Sequence, residues 1–220
     1  MTPQSAHDRT SPQGDALQTI AHELRQPLDA MESIAYYLAL VLPPMERRAH
    51  DQVSRLQQLI EQANWMLTSG LQLADETPLA PEPADLTLLI TQAAARIGSH
   101  ATPAFRLELA ANLPLILLDP VRGKVWMENL LTLFQQWSST RHVASVTTSQ
   151  NGGWVRLVIA TMAPGHRSES TLGPGCGLSL ASARRVVAAH HGTFELKISP
   201  TSGIVLNIEL PSVTNTRVLP

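Results

Sequence analysis

The chain has 220 residues, 44% apolar and 15% charged, with 18 acidic against 16 basic side chains and a formal charge of −2. That length suits one large domain or two small ones, and the charge balance leaves no basic excess for a phosphate backbone, so nucleic acid is not an expected partner. No apolar run approaches a bilayer span, the amino terminus lacks the charged and apolar regions of a secretion signal, and the single cysteine, Cys176, permits neither an intrachain disulfide nor a zinc site. A cytoplasmic chain without a membrane segment or a metal centre of its own is expected.

Residues 1–14 read as a flexible tail rich in polar residues, with Pro3, Pro12 and Gly14. Asp15 can cap a first helix that runs to 41 or 42, where Pro43 and Pro44 stop it. Its apolar residues Leu17, Ile20, Leu24, Met31, Ile34, Leu38 and Val41 step by threes and fours once Pro27 fills the missing position, which is a heptad seam. A second helix, 45–74, repeats the spacing at Leu56, Leu59, Ala63, Met66, Gly70 and Leu73. A hairpin cannot cover both seams alone, because each helix of a bundle needs two neighbours. Residues 15–75 are therefore predicted to form half of a four-helix bundle in a homodimer.

Residues 76–84, with Pro78, Pro81 and Pro83, read as a linker. Beyond it, 85–211 alternates elements: a helix over 85–97, strands over 105–109 and 115–118, and a helix from Asp119-Pro120 through Phe134. Strands at 144–149 and 154–160 follow, joined by a turn at Asn151-Gly152-Gly153. A helix over 178–190, a strand over 193–198 and a strand over 204–210 closing the sheet complete the pattern. The tail 212–220 is expected to fray. The fold class is α+β, a dimeric helical hairpin followed by an α/β sandwich.

On the first helix, His22 falls midway between Ile20 and Leu24, so it projects away from the seam into solvent with Glu23 beside it. A lone surface histidine needs no function. The whole string Ile20-Ala21-His22-Glu23-Leu24-Arg25-Gln26-Pro27-Leu28, however, resembles the phosphoacceptor box of bacterial two-component sensor histidine kinases. The resemblance implies that His22 takes a phosphoryl group and that Glu23 polarises its other ring nitrogen. A neutral imidazole nitrogen is a good nucleophile at neutral pH, and a carboxylate facing the opposite N–H fixes the tautomer and stabilises the cation formed on attack.

The stretch Gly173-Pro174-Gly175-Cys176-Gly177-Leu178-Ser179-Leu180, ahead of a helix ending in His190-His191-Gly192, resembles the second glycine box of the same family's ATP-binding domain. Glycines let backbone N–H groups approach phosphates, and the helix adds its positive end. The resemblance implies nucleotide contacts at Gly173, Gly175, Gly177 and Leu178. Two other boxes depart from the pattern. In Asn129-Leu130-Leu131-Thr132-Leu133-Phe134, Leu133 stands where the family places its magnesium-binding asparagine, and only a one-turn shift of register would substitute Asn129. In Thr161-Met162-Ala163-Pro164-Gly165, Thr161 stands in place of the aspartate that holds the adenine amino group, and Ala163 in place of a glycine ahead of Gly165. Only 166–172 separates the glycine boxes, leaving little room for the flexible lid the family folds over the nucleotide.

The resemblance covers about 15–211. It implies a histidine-kinase-like protein passing phosphoryl groups through His22 to or from an aspartate of a response-regulator receiver domain, requiring no cofactor because ATP binding is weakened or lost. Whether it is an enzyme in its own right stays open. The alternatives are an active autokinase using ATP and Mg, with Asn129, Thr161, Gly165 and the second glycine box as its site, and a non-enzymatic dimeric regulator that binds a kinase or receiver. The signal input would come from another protein or a longer chain. Trp126, Trp137 and Trp154 read as packing residues, and His190 and His191 as cationic caps of a helix end.

Overall fold

The computed structural model describes residues 12–75, 77–98, 105–138, 142–162, 172, 175–199 and 203–216. The chain divides into two compact units between Pro78 and Leu79. The first is a helical hairpin of α1 (Pro12–Val41) and α2 (Arg47–Ala74). α1 begins three residues before Asp15, which lies inside the helix and does not cap it; residues 12–14, read as tail, are helical. α2 starts two residues later than expected, because Pro43 and Pro44 hold a turn closed by the Glu46 N–H to the Pro43 carbonyl at 3.0 Å. α1 continues through Pro27. Proline has no N–H to give, so the Glu23 carbonyl loses its normal intrahelical donor one residue after His22.

The hairpin packs on one apolar cluster. Ala35, Val53 and Ile60 are buried together, with Leu28, Leu38, Ala39 and Leu42 partly covered around them. Most of the heptad seam read on α1 lies beside this contact and outside it. Ile20 stays 54% exposed and Ile34 58%, with Leu17, Leu24, Met31 and Val41 also exposed, and across the turn Leu59 is 54% exposed. One apolar stripe is thus spent inside the hairpin and a second is left over.

In the second unit, β1 (Glu82–Ala84) pairs antiparallel with β3 (Ile116–Leu118), so the end of the expected linker is a strand. Strand pairing is open to it because Pro83 sits in a two-stranded ribbon with a free edge. The main sheet has the order β2-β4-β5-β7-β6, from β2 (Arg106–Glu108), β4 (Ser145–Asn151), β5 (Trp154–Thr161), β6 (Thr193–Ser199) and β7 (Gly203–Pro211). β2 runs parallel to β4, and the other pairs are antiparallel. The expectation that the last strand closes the sheet fails: β7 lies inside, between β5 and β6. Its alternate residues Ile204, Leu206, Ile208 and Leu210 are all buried, which an edge position would waste. Opposite residues such as Ile159 and Leu206, or Leu157 and Ile208, make one continuous apolar face.

Three helices belong to this unit's core: α3 (Leu86–Gly98), α4 (Pro120–Gln136) and α5 (Cys176–Ala189). α4 packs against α3, α5 and β5, and its Trp126, Met127, Leu130, Leu131, Leu133 and Phe134 are all buried. A helix apolar on most sides is a central helix. Past β7 the chain does not fray at once, because α6 (Val213–Thr216) is tied down by the Val213 N–H to the Leu115 carbonyl at 2.8 Å.

Asp119 joins several of these pieces. Its Oδ1 accepts from the Val121 and Arg122 amides at 3.1 and 3.0 Å, capping α4 with Pro120 in the first turn, where the sequence placed the helix start. Its Oδ2 accepts from the Ala80 amide at 3.1 Å. Its own N–H donates to Nε2 of the buried His190 at 2.9 Å, while His190 Nδ1 lies 2.7 Å from the Val186 carbonyl. A backbone amide only donates, so Nε2 is a bare acceptor and the proton sits on Nδ1. His190 is therefore not the cationic cap read from the sequence. The end of α5 is closed by backbone bonds from His191 to Ala188 and from Gly192 to Val187, with His191 left-handed at φ 58°. Gly192 must be glycine, since a Cβ there would lie 2.6 Å from the Glu209 carbonyl.

Burial raises the Asp119 carboxyl, but the Arg122 and Ala80 amides, the Arg122 charge and the Val121 amide outweigh it and hold it below the usual carboxylate value. A depressed folded value stabilises the fold in full above the unfolded value of about 4 and is lost as pH falls through the folded one. Asp119→Ala should cost about 1–2 kcal/mol in urea unfolding at neutral pH, and Asp119→Asn should flatten the acid limb of the stability curve.

Candidate functional site

His22 and Glu23 stand on the outer face of α1, both exposed, while Ala21 beside them is buried. Asp29, Ser33 and Tyr36 follow His22 at seven, eleven and fourteen residues, which puts them on the same helix face. These three, with Glu32 on α1 and Gln57 and Glu61 on α2, line a groove of about 440 Å³. With three carboxylates and no basic side chain, its lining favours a cationic surface. The sequence reading missed this groove, because it requires the partner helix to be placed.

Of the residues assigned to a nucleotide, Asn129, Thr161, Gly175, Gly177 and Leu178 are among the described residues of the second unit, on α4, at the end of β5 and at the start of α5. Leu133 is wholly buried, and a leucine methyl offers no oxygen to a hard cation. Asn129 is half-buried one turn earlier on α4, and the preceding Glu128 pairs with Arg96 of α3 at 3.0 Å. Thr161, at the end of β5, is buried; its hydroxyl lies 3.3 Å from Ser138 Oγ and 3.5 Å from the His142 carbonyl. Gly175 has φ 79° and precedes α5, so the turn keeps the left-handed step that glycine permits. Gly177 is exposed and Leu178 half-buried in the first turn of that helix. Ala163, Gly165 and Gly173 lie outside the described residues.

A contact not read from the sequence closes this end. Trp137 Nε1 donates to the Leu172 carbonyl at 3.1 Å, and the Cys176 thiol donates to the same oxygen at 3.1 Å. Leu172, Trp137 and Cys176 are all buried, and Phe134 meets the Trp137 ring edge-on at 5.1 Å. Trp137 follows Leu133 by four residues, so the sequence placed both on one face of α4; what it could not supply was Leu172. Trp126 is a core residue and Trp154 is half-buried at a strand start. Among the described residues, no group of three or more His, Cys, Asp or Glu could hold a metal ion, and no helix is long and apolar enough to cross a membrane.

A helical hairpin followed by a sandwich of mixed sheet and helices is a fold that the chain shares with solved histidine kinases, and its sequence is similar to that of sensor histidine kinases. The sensor histidine kinase ZraS of Escherichia coli (strain K12) is 27% identical over 205 residues, covering 87% of this chain and 44% of that protein, and ZraS of Klebsiella oxytoca is 27% identical over 206 residues with the same coverage. The chain thus spans less than half the length of the curated relatives it matches. Full-length ShkA in complex with AMPPNP superposes with a TM-score of 0.61 at 23% identity, over 90% of this chain and 46% of that one. The Acinetobacter baumannii histidine kinase AdeS superposes with a TM-score of 0.52 at 18% identity, over 87% and 98%. No protein-family profile matches the chain.

Burial pushes the Cys176 thiol above its ordinary value, against the opposing effect of the Trp137 indole. A thiol that is buried, protonated and hydrogen-bonded is a poor nucleophile. An aromatic disulfide reagent should label the native protein slowly and incompletely and the urea-unfolded protein fully; Trp137→Ala should speed native labelling.

Proposed function

We propose that this chain is a histidine-kinase-like phosphoryl-transfer module, with His22 exchanging a phosphoryl group with the aspartate of a response-regulator receiver domain and with ATP binding weakened or lost. The observation that carries the reading is the exposed His22-Glu23 pair on a helix whose packing stripe faces elsewhere. The unprotonated imidazole nitrogen attacks the phosphorus of an acyl phosphate, the N–P bond forms as the O–P bond breaks, and the aspartate carboxylate leaves. Glu23 supports the positive charge that develops on the ring. The aspartyl phosphate is itself the activated donor, so the step depends mainly on positioning and needs no nucleotide. The acidic groove two turns beyond His22 suits a receiver face bearing lysine or arginine.

Weak nucleotide binding is supported by three observations together. Leu133 is buried where the resemblance calls for a metal-binding asparagine, Thr161 spends its hydroxyl within the domain, and Trp137 and Cys176 hold Leu172 in the packed α4–α5 end. Losing a charge-assisted adenine contact alone costs about 1.5–3 kcal/mol. A second reading, an ATP-dependent autokinase, draws on the retained glycine turn at Gly175 and on the likeness to ShkA, whose structure holds AMPPNP. Label from a phosphorylated receiver, offered without ATP, should appear on the protein or be released as phosphate, while labelled ATP with magnesium should give little phosphoprotein. Efficient labelling by ATP would establish the second reading instead. His22→Ala should abolish the transferred label, and Glu23→Gln should slow transfer by about ten- to a hundredfold.

The homodimer follows from the unspent stripe on α1. Sedimentation at micromolar concentration should show a dimer, and Leu59→Lys should shift it toward monomer by placing a charge in the buried seam.

A further inference from the structure

Asp119 and His190 are buried ionisable residues with no part in the phosphoryl chemistry above, and their bonds run between distant parts of the second unit. The His190 ring is locked to its own helix through Nδ1 and the Val186 carbonyl, so it moves with α5. α5 begins at the Gly175 turn and ends at this imidazole, roughly 20 Å away at 1.5 Å per residue. Nε2 takes the Asp119 amide, and the Asp119 carboxylate takes the Ala80 amide in the segment that enters the unit. β1 continues that segment and pairs with β3, whose last residue, Leu118, directly precedes Asp119.

We propose that the Asp119–His190 pair is a latch that ties the entry segment, 79–84, to the far end of the glycine-box helix. Among the described residues, its ladder to β3 is three residues long, one of them a proline. Its attachment therefore depends on where α5 places the imidazole. A displacement of α5 at the glycine turn is passed to the chain that leads from the helical hairpin, with no contact between the hairpin and α5 required. The chain of contacts is discrete, from helix to imidazole to amide and from carboxylate to amide. It has one fixed tautomer, because a proton on Nε2 would face the Asp119 N–H.

The test is amide hydrogen exchange on the full chain with His190→Gln, which keeps size and polarity but cannot hold both bonds in the ring's geometry, and with Asp119→Asn. Exchange at Ala80, Glu82 and Ala84 should rise about tenfold in either variant, while Leu157, Ile159 and Leu206 in the central strands keep their protection. The double variant should add little to either single one. Equal acceleration at the central strands would make His190 an ordinary core residue and overturn the latch, as would unchanged exchange at 80–84 or additive effects. The unmodified protein supplies an independent check if a variant does not fold. Nitrogen-15 spectra should show His190 protonated at Nδ1 and bare at Nε2, and the opposite tautomer would overturn the proposal.

Discussion

The hairpin's organisation turns on a mismatch in α1: the helix carries more apolar surface than one partner helix can cover. Helix pairs touch along a single stripe. Here the stripe of Leu28, Ala35, Leu38, Ala39 and Leu42 takes the contact with Val53 and Ile60 of α2, and Ile20, Leu24, Met31 and Ile34 are left exposed beside it. With Ala21 turned inward, the next position, His22, is carried onto the outer face. Exposure of the imidazole is thus a consequence of packing, and Pro27 follows where the ladder opens.

The second unit shows the opposite economy. α4 packs against α3, α5 and β5, and seven of its seventeen residues are buried, so its inward face is decided by packing. Leu133 and Phe134 join the core, Trp137 closes on Leu172, and Thr161 bonds within the sheet end. Polar groups aimed into a cleft would each require a partner or water. Apolar side chains carry no such requirement and add buried area, which stabilises the domain. The glycine turn has a conformational role: Gly175 is left-handed where α5 starts.

Asp119 and His190 connect the two themes, since one carboxylate caps the central helix and also receives the chain arriving from the hairpin. Its depressed acidity expresses how many donors converge on it. The same convergence makes the junction of β3 and α4 the place where α5 and the entry segment are held at once.

The sequence by itself determined the helical hairpin, the order of helices and strands, the Asn151-Gly152-Gly153 turn, the helix start at Asp119-Pro120 and the outward face of His22, because each depends on local periodicity or on backbone preferences within a few residues. It also showed that Leu133 cannot bind a cation, which is a matter of side-chain chemistry alone. Only the tertiary structure decided that the read seam lies beside the intrachain contact, that 82–84 is a strand, that β7 lies inside the sheet, that His190 is a bare acceptor at Nε2 and that Leu172 fills the α4–α5 end. Each of these is a pairing between residues tens of positions apart. Strand partners, buried hydrogen bonds and the choice between two competing apolar stripes are settled by which surfaces meet, and a periodic pattern in one segment carries no information about the segment it will meet.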